Sequence, residues 1–195
     1  MKLRFHLHIG RTGRTDHMAS EFQRKKIAGV FEAMDADGDG LLREADFAAL
    51  TARWIAIRGT NGSIRLTSIM MGWWDTLLAA SDADRDGKVT LDEVLLVVDR
   101  LGGMPGAITD TAEVMFEAVD EDADGRISAK EYNRLIEAWN GRPTDTDAVF
   151  HLLDLDGDGH LSHEEFVRLW TEFWAGDDPA APGTWLFGRF ELPVS

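Results

Sequence analysis

Apolar residues recur at three- and four-residue spacing along the chain, in stretches separated by polar intervals. Phe22, Ile27, Val30, Phe31 and Met34 make the first such stripe, and Phe47, Leu50 and Trp54 the second. Ile69, Met70, Trp73 and Leu77 follow, then Val94, Leu95, Val98 and Leu101. Met115, Phe116 and Val119 lead to Tyr132, Leu135, Ile136 and Trp139; Val149, Phe150 and Leu153 lead to Phe166, Leu169, Trp170 and Phe173. This is the period of an amphipathic helix. The pattern predicts an all-α chain with a helix on each side of four polar loops.

Punctuation between the stripes suggests the organisation. Ser20, Thr109 and Thr144 are candidate N-caps. Arg58-Gly59-Thr60-Asn61-Gly62-Ser63 reads as a turn, and Gly102-Gly103-Met104-Pro105-Gly106 breaks any long central helix. We expect a first pair of loops over residues 18–101, a linker over 102–108 and a second pair over 109–174. These form two lobes folded against each other. After a Gly/Pro/Asp stretch the chain ends in Trp185-Leu186-Phe187-Gly188-Arg189-Phe190, so residues 175–195 are expected to fold back on the core. Residues 1–17 read differently. Lys2, Arg4, Arg11 and Arg14 against Asp16 make them basic, and they lack the apolar core of a secretory signal. The expectation is a disordered, tag-like leader, with the working protein beginning at Met18.

The polar loops carry the chemistry. Asp-x-Asp-x-Asp-Gly occurs four times, at Asp35-Ala-Asp37-Gly-Asp39-Gly40, Asp82-Ala-Asp84-Arg-Asp86-Gly87, Asp120-Glu-Asp122-Ala-Asp124-Gly125 and Asp154-Leu-Asp156-Gly-Asp158-Gly159. An aliphatic residue follows each Gly by two positions (Leu42, Val89, Ile127, Leu161), and the twelfth position is Asp46, Glu93, Glu131 or Glu165. A hard cation such as calcium takes roughly 6–8 oxygens at about 2.3–2.6 Å, and this spacing supplies them. Positions 1, 3 and 5 give carboxylates, and the Gly at position 6 permits the tight curl. Position 7 gives its carbonyl, here from Leu41, Lys88, Arg126 and His160. Position 9 often works through a water, for which Thr90, Ser128 and Ser162 are suited, and position 12 closes the shell. The aliphatic residue at position 8 should bridge to its counterpart in the neighbouring loop, Leu42 with Val89 and Ile127 with Leu161.

The first loop departs from the others. Asp46 is one methylene shorter than Glu, and Arg43 stands where the other loops have a hydroxyl. Weaker calcium binding and a leaning toward Mg²⁺ are expected there.

Charge agrees with this reading. The 195 residues hold 20 Lys+Arg and 35 Asp+Glu, net −15, so a nucleic-acid partner is disfavoured. Four acids in each of four loops account for sixteen of those 35. Gathering them without cations would be repulsive, so folding and metal binding should be coupled. With no cysteine there are no disulfides and no thiolate sites. A cytoplasmic monomer without a membrane partner is expected. Seven Trp and ten Phe read as a large aromatic core. No Gly-rich phosphate loop, nucleophile elbow or zinc-ligand spacing is present, so no covalent chemistry is expected.

The four loops identify the chain as an EF-hand protein, and it resembles the sarcoplasmic calcium-binding proteins, most of all those of the actinobacterial calerythrin type. The resemblance rests on the long first interval between loops, on Asp37 to Phe47 with Asp46 at the twelfth position, and on Trp185 to Leu192. It covers about residues 21–192. It implies a compact calcium buffer or carrier. Relatives commonly have a degenerate second hand, whereas Asp82, Asp84, Asp86, Thr90 and Glu93 are all competent donors here, so up to four Ca²⁺ are expected. Two rival functions stand beside the buffer: a sensor that opens a groove for a target protein, and a calcium-triggered photoprotein with an organic cofactor.

Overall fold

Ser20 starts the first helix. Its hydroxyl accepts the Gln23 N–H at 3.0 Å, which satisfies one of the donors a helix N-terminus leaves free. In the computed structural model, which describes residues 19–188, this helix α1 spans Glu21–Met34. The leader of residues 1–17, Met18 and the end of the tail from Arg189, Phe190 included, lie outside the described residues. The other helices are α2 (Glu44–Arg58), α3 (Ser63–Ser81), α4 (Leu91–Leu101), α5 (Pro105–Val119), α6 (Ala129–Asn140), α7 (Asp147–Leu153) and α8 (His163–Ala175). A short 3₁₀ turn, Pro182–Trp185, follows. Each acidic loop lies between an entering and an exiting helix, so the chain is all-α with four helix–loop–helix hands.

Two of the expected caps are corrected. Pro105 opens α5, because its fixed φ suits a first helical position whose N–H needs no partner. Thr109 therefore sits inside the helix, its hydroxyl donating to the Pro105 carbonyl at 3.2 Å. The linker expected over residues 102–108 shrinks to 102–104. Thr146, not Thr144, immediately precedes α7, and the Thr144 carbonyl instead accepts from Asn133 Nδ2 at 2.8 Å.

Hands join in pairs through position 8. Leu42 and Val89 exchange backbone hydrogen bonds of 2.8 and 3.0 Å. In the second pair the contact lengthens into two antiparallel strands, β1 (Arg126–Ser128) and β2 (His160–Ser162), with Ile127 opposite Leu161. All four aliphatic side chains are fully buried. Each bridge thus fixes two loops back to back over a shared apolar floor.

Arginines of α2 join the pairs. Arg53 donates from Nε to the Ala138 carbonyl and from Nη2 to that of Trp139 at 3.2 Å, closing the carbonyl end of α6. Arg58 donates to the Ala118 carbonyl at 3.0 Å and lies 3.9 Å from Glu121. The core beneath is aromatic. Trp54, Trp139 and Trp170 are fully buried, and Trp73 packs on Trp139 at 5.8 Å and on Trp170 at 6.4 Å.

The last helix is tied to the first. Gln23 Nε2 donates to the Trp174 carbonyl at 2.7 Å, and Lys26 Nζ to the carbonyls of Gly176 at 2.8 Å and Glu172 at 3.3 Å. Lys26 is 1% exposed and lies over the rings of Phe22 and Phe173. An ammonium at the carbonyl end of α8 is favourably placed toward the helix dipole. Its burial is not.

Burial pushes Lys26 down to about 8, with Asp177 and Glu172 drawing it back upward. Below pH 8 the folded and unfolded chains both carry this proton, and the buried charge weighs fully against the fold. Between about 8 and the ordinary value of 10.5 the folded chain sheds it first, so stability should rise with pH across that window. Urea unfolding from pH 7 to 10.5 at saturating calcium should show the rise in the parent chain and a flatter profile in Lys26→Met. An equal rise in both would contradict this assignment.

Candidate metal centres

Each loop folds around its first acid. In loop 1 the Asp35 carboxylate accepts the N–H groups of Gly38 (2.9 Å), Asp39 (3.2 Å) and Gly40 (2.7 Å). Asp154 repeats this with Gly157, Asp158 and Gly159 at 2.9, 3.2 and 2.8 Å. Asp82 holds Asp86 and Gly87, and Asp120 holds Asp124 and Gly125. The curl needs positive φ at positions 4 and 6. Position 6 is Gly throughout, at +78° to +86°. Position 4 is Gly38 or Gly157 in loops 1 and 4, but Arg85 (+63°) and Ala123 (+59°) in loops 2 and 3. Those two side chains bear a left-handed conformation that costs non-glycine residues roughly 1–2 kcal/mol. The sequence reading missed this fourth position, although glycine there in two of the four loops was the available signal.

The twelfth residue ties the loop to its exiting helix. Glu93 accepts from the Ala83 N–H at 3.0 Å and the Thr90 N–H at 2.9 Å; Glu131 does the same with Glu121 and Ser128, and Glu165 with Leu155 and Ser162. Thr90, Ser128 and Ser162 return a bond from their hydroxyls and accept the N–H of the same Glu, forming a capping box at the start of each helix. Position 9 is therefore seen in a capping role.

In two of the three glutamates, Glu93 and Glu165, these bonds hold the carboxyl below its ordinary value. The backbone bond from Thr90 is the largest influence lowering Glu93. Burial pushes Glu165 up, and the bonds from Ser162, Leu155 and Asp156 outweigh it, leaving its carboxyl below the ordinary value.

Donor atoms converge within 4.8 Å of one another in all four loops. The sets are Asp82, Asp84 and Glu93; Asp120, Asp122 and Glu131; and Asp154, Asp156 and Glu165, at positions 1, 3 and 12. In loop 1 the set is Asp35, Asp37 and Asp39. Asp46 spends its two oxygens on the N–H groups of Ala36 (3.1 Å) and Arg43 (2.8 Å), and it is buried. With a side chain one methylene shorter, it meets the same backbone donors as the glutamates without joining the converging set.

Asp86, Asp124 and Asp158 at position 5 stand just outside their sets, each accepting the N–H of position 7. The position-7 side chains of Lys88, Arg126 and His160 point to these acids, Lys88 to Asp86 at 3.4 Å and Arg126 across the pair to Asp158 at 3.6 Å. That leaves position 7 its carbonyl as a donor, and the same holds for Leu41. The converging donors are all carboxylate oxygens, without imidazole. Such a set suits a hard divalent cation, and three acids around one point fit calcium or magnesium better than a soft metal.

Comparison with known proteins agrees with this geometry. Residues 109–171 match the family model for an EF-hand domain pair, and residues 27–42 the model for an EF hand. The sarcoplasmic calcium-binding protein beta chain of Penaeus sp. is 29% identical over 109 residues, which are 50% of this chain and 57% of that protein. The chain thus spans little more than half the length of the first relatives it matches. Among solved structures, coelenterazine-binding protein from Renilla muelleri superposes with a TM-score of 0.72 at 18% identity, covering 87% of this chain and 99% of that one. A sarcoplasmic calcium-binding protein from amphioxus gives 0.66 at 18% identity, covering 88% and 98%. At these identities the structural likeness shows the fold alone. Sarcoplasmic calcium-binding protein 1 of Astacus leptodactylus is 25% identical over 178 residues, which are 79% of this chain and 88% of that protein. No helix among the described residues is long and apolar enough to cross a membrane.

The reach of Asp46 generates a direct test. Asp46→Glu should bring the fourth acid into the loop-1 set and raise calcium affinity there by about tenfold, read from a competition titration with a chromophoric chelator. Unchanged or weaker binding would show that Asp46 does not limit the site.

Proposed function

We propose that this chain, a calcium-binding EF-hand protein related to the sarcoplasmic calcium-binding proteins, acts as a calcium buffer or carrier. Up to four ions bind. Asp35, Asp37, Asp39 and Asp46 serve the first, and the acids at positions 1, 3, 5 and 12 of the other loops serve the rest. Loop 1, with Asp at position 12, is the weakest for Ca²⁺ and the most open to Mg²⁺.

The observation that carries the buffering role is the occupied core. A sensor exposes an apolar groove for a target, commonly lined with Met. Here Leu186 and Phe187 of the tail fill the interior at 1% and 5% exposure. Phe187 packs on Phe173 at 4.8 Å, Trp139 at 5.0 Å and Trp170 at 5.7 Å. Tyr132 donates to the Leu186 carbonyl at 3.1 Å. Gly183 docks against α8 so closely that a Cβ would lie 2.3 Å from the Leu169 carbonyl oxygen, and its N–H donates to Glu172 at 2.9 Å. Met34, Met70 and Met115 are buried.

Fully burying Leu186 and Phe187 contributes roughly 1.5–3 kcal/mol each. Calcium-loaded parent protein should therefore bind little hydrophobic dye. Truncation after Ala175 should raise dye binding and lower stability by a few kcal/mol, and Gly183→Ala should do the same in part. Strong dye binding by the intact calcium form, unchanged by truncation, would mean an open groove and would favour the sensor.

A further inference from the structure

We propose that Arg43 is a tethered counter-cation of the first loop: it holds that site's acids together and competes with the metal ion for them. Arg43 Nη1 bonds Asp39 Oδ2 and lies 4.0 Å from Asp37 Oδ2, so one guanidinium spans two of the three acids that converge in this loop. Its backbone N–H holds the fourth acid, Asp46, at 2.8 Å. A single residue thus touches three of the four carboxylates of its own site.

Other basic side chains near the loops do something different. Lys88 pairs with Asp86 and adds a weaker electrostatic pull on Asp39 across the pair, and Arg126 reaches across to Asp158. The two ion-paired acids, Asp86 and Asp158, are at position 5 and stand outside the converging sets of their loops. Those ion pairs do not engage the converging carboxylates of loops 2, 3 and 4, whereas the guanidinium of Arg43 lies on those of its own loop. Guanidinium is planar and permanently charged, with several donors in a fixed fork, and is suited to bridging two carboxylates.

Two consequences follow, with opposite signs. Without metal, Arg43 offsets the repulsion among Asp35, Asp37 and Asp39, so the first hand keeps its fold when the others lose their ions. With metal, a cation entering the site meets a charge already in place and must displace it from Asp39. The first hand becomes a permanent anchor for its partner, loop 2, to which Leu42 is bridged. The inference rests on the loops being divalent-cation sites, and its test separates the two.

The position-6 glycine amides report each loop: Gly40 for the first, and Gly87, Gly125 and Gly159 for the rest. ¹⁵N-edited spectra during a calcium titration should show the Gly40 midpoint in Arg43→Ser moving to about fivefold lower calcium, the strength of a good exposed ion pair. The thermal midpoint of the same variant in excess chelator should fall below that of the parent. Arg43→Lys, which restores the charge, should return both readouts toward the parent. A purely structural arginine would lower stability and affinity together. An unmoved or raised Gly40 midpoint, or an unchanged melting point in chelator, overturns the proposal while leaving the calcium reading intact. Failure of Gly87, Gly125 and Gly159 to respond to calcium in any variant would overturn both.

Discussion

Carboxylates brought within 4.8 Å of each other repel, and the fold is organised around meeting that cost. Each close pair weighs of the order of 1–4 kcal/mol, between the limits of bulk water and a protein surface. Four such sets are a large burden for a chain whose net stability is about 5–15 kcal/mol. Backbone N–H groups offset part of it, since the first and twelfth acids of every loop accept two or more. Arg43 offsets part of it in loop 1. A bound divalent cation would offset the remainder, and on the proposed reading metal binding and folding belong to one equilibrium.

The rest of the molecule transmits that constraint. Glu121 illustrates how. Its N–H holds the loop-3 acid Glu131, while its carboxylate is gripped by Arg134 and approached by Arg58 from α2. The exiting helix of the first hand is thereby linked to the third loop. At the far side, Lys26 and Gln23 tie α1 to the end of α8, where the tail begins. Trp73 of the first pair packs on Trp139 and Trp170 of the second, and the tail's Phe187 lies on Trp139, Trp170 and Phe173, so the two pairs share one aromatic interior.

Sequence periodicity carried most of this, because the loop motif is local: twelve residues determine their own ligand geometry. Leu42 with Val89 and Ile127 with Leu161 were legible for the same reason, since position 8 has a fixed place in the motif. The helix starts at Thr109 and Thr144 were misjudged because Pro105 and Thr146 offered competing starts that spacing alone could not rank. Contacts from Arg53, Arg58 and Lys26 left no trace in the sequence. They join residues 60 to 150 positions apart, and an isolated Arg or Lys on a helix reads as a solvated charge until the fold brings a carbonyl end to it. Arg43 was visible as an anomaly at position 9, yet its bridge between Asp37 and Asp39 needed the geometry.

The central claim is that divalent cations complete this fold. It is tested most directly by the thermal midpoint and helical circular dichroism of the full chain in excess calcium and in excess chelator. The account predicts that chelation lowers the midpoint by more than about 10 °C, since several filled sites each add a few kcal/mol of linkage, with loss of part of the helical signal. An unchanged midpoint and an unchanged spectrum in chelator would contradict it.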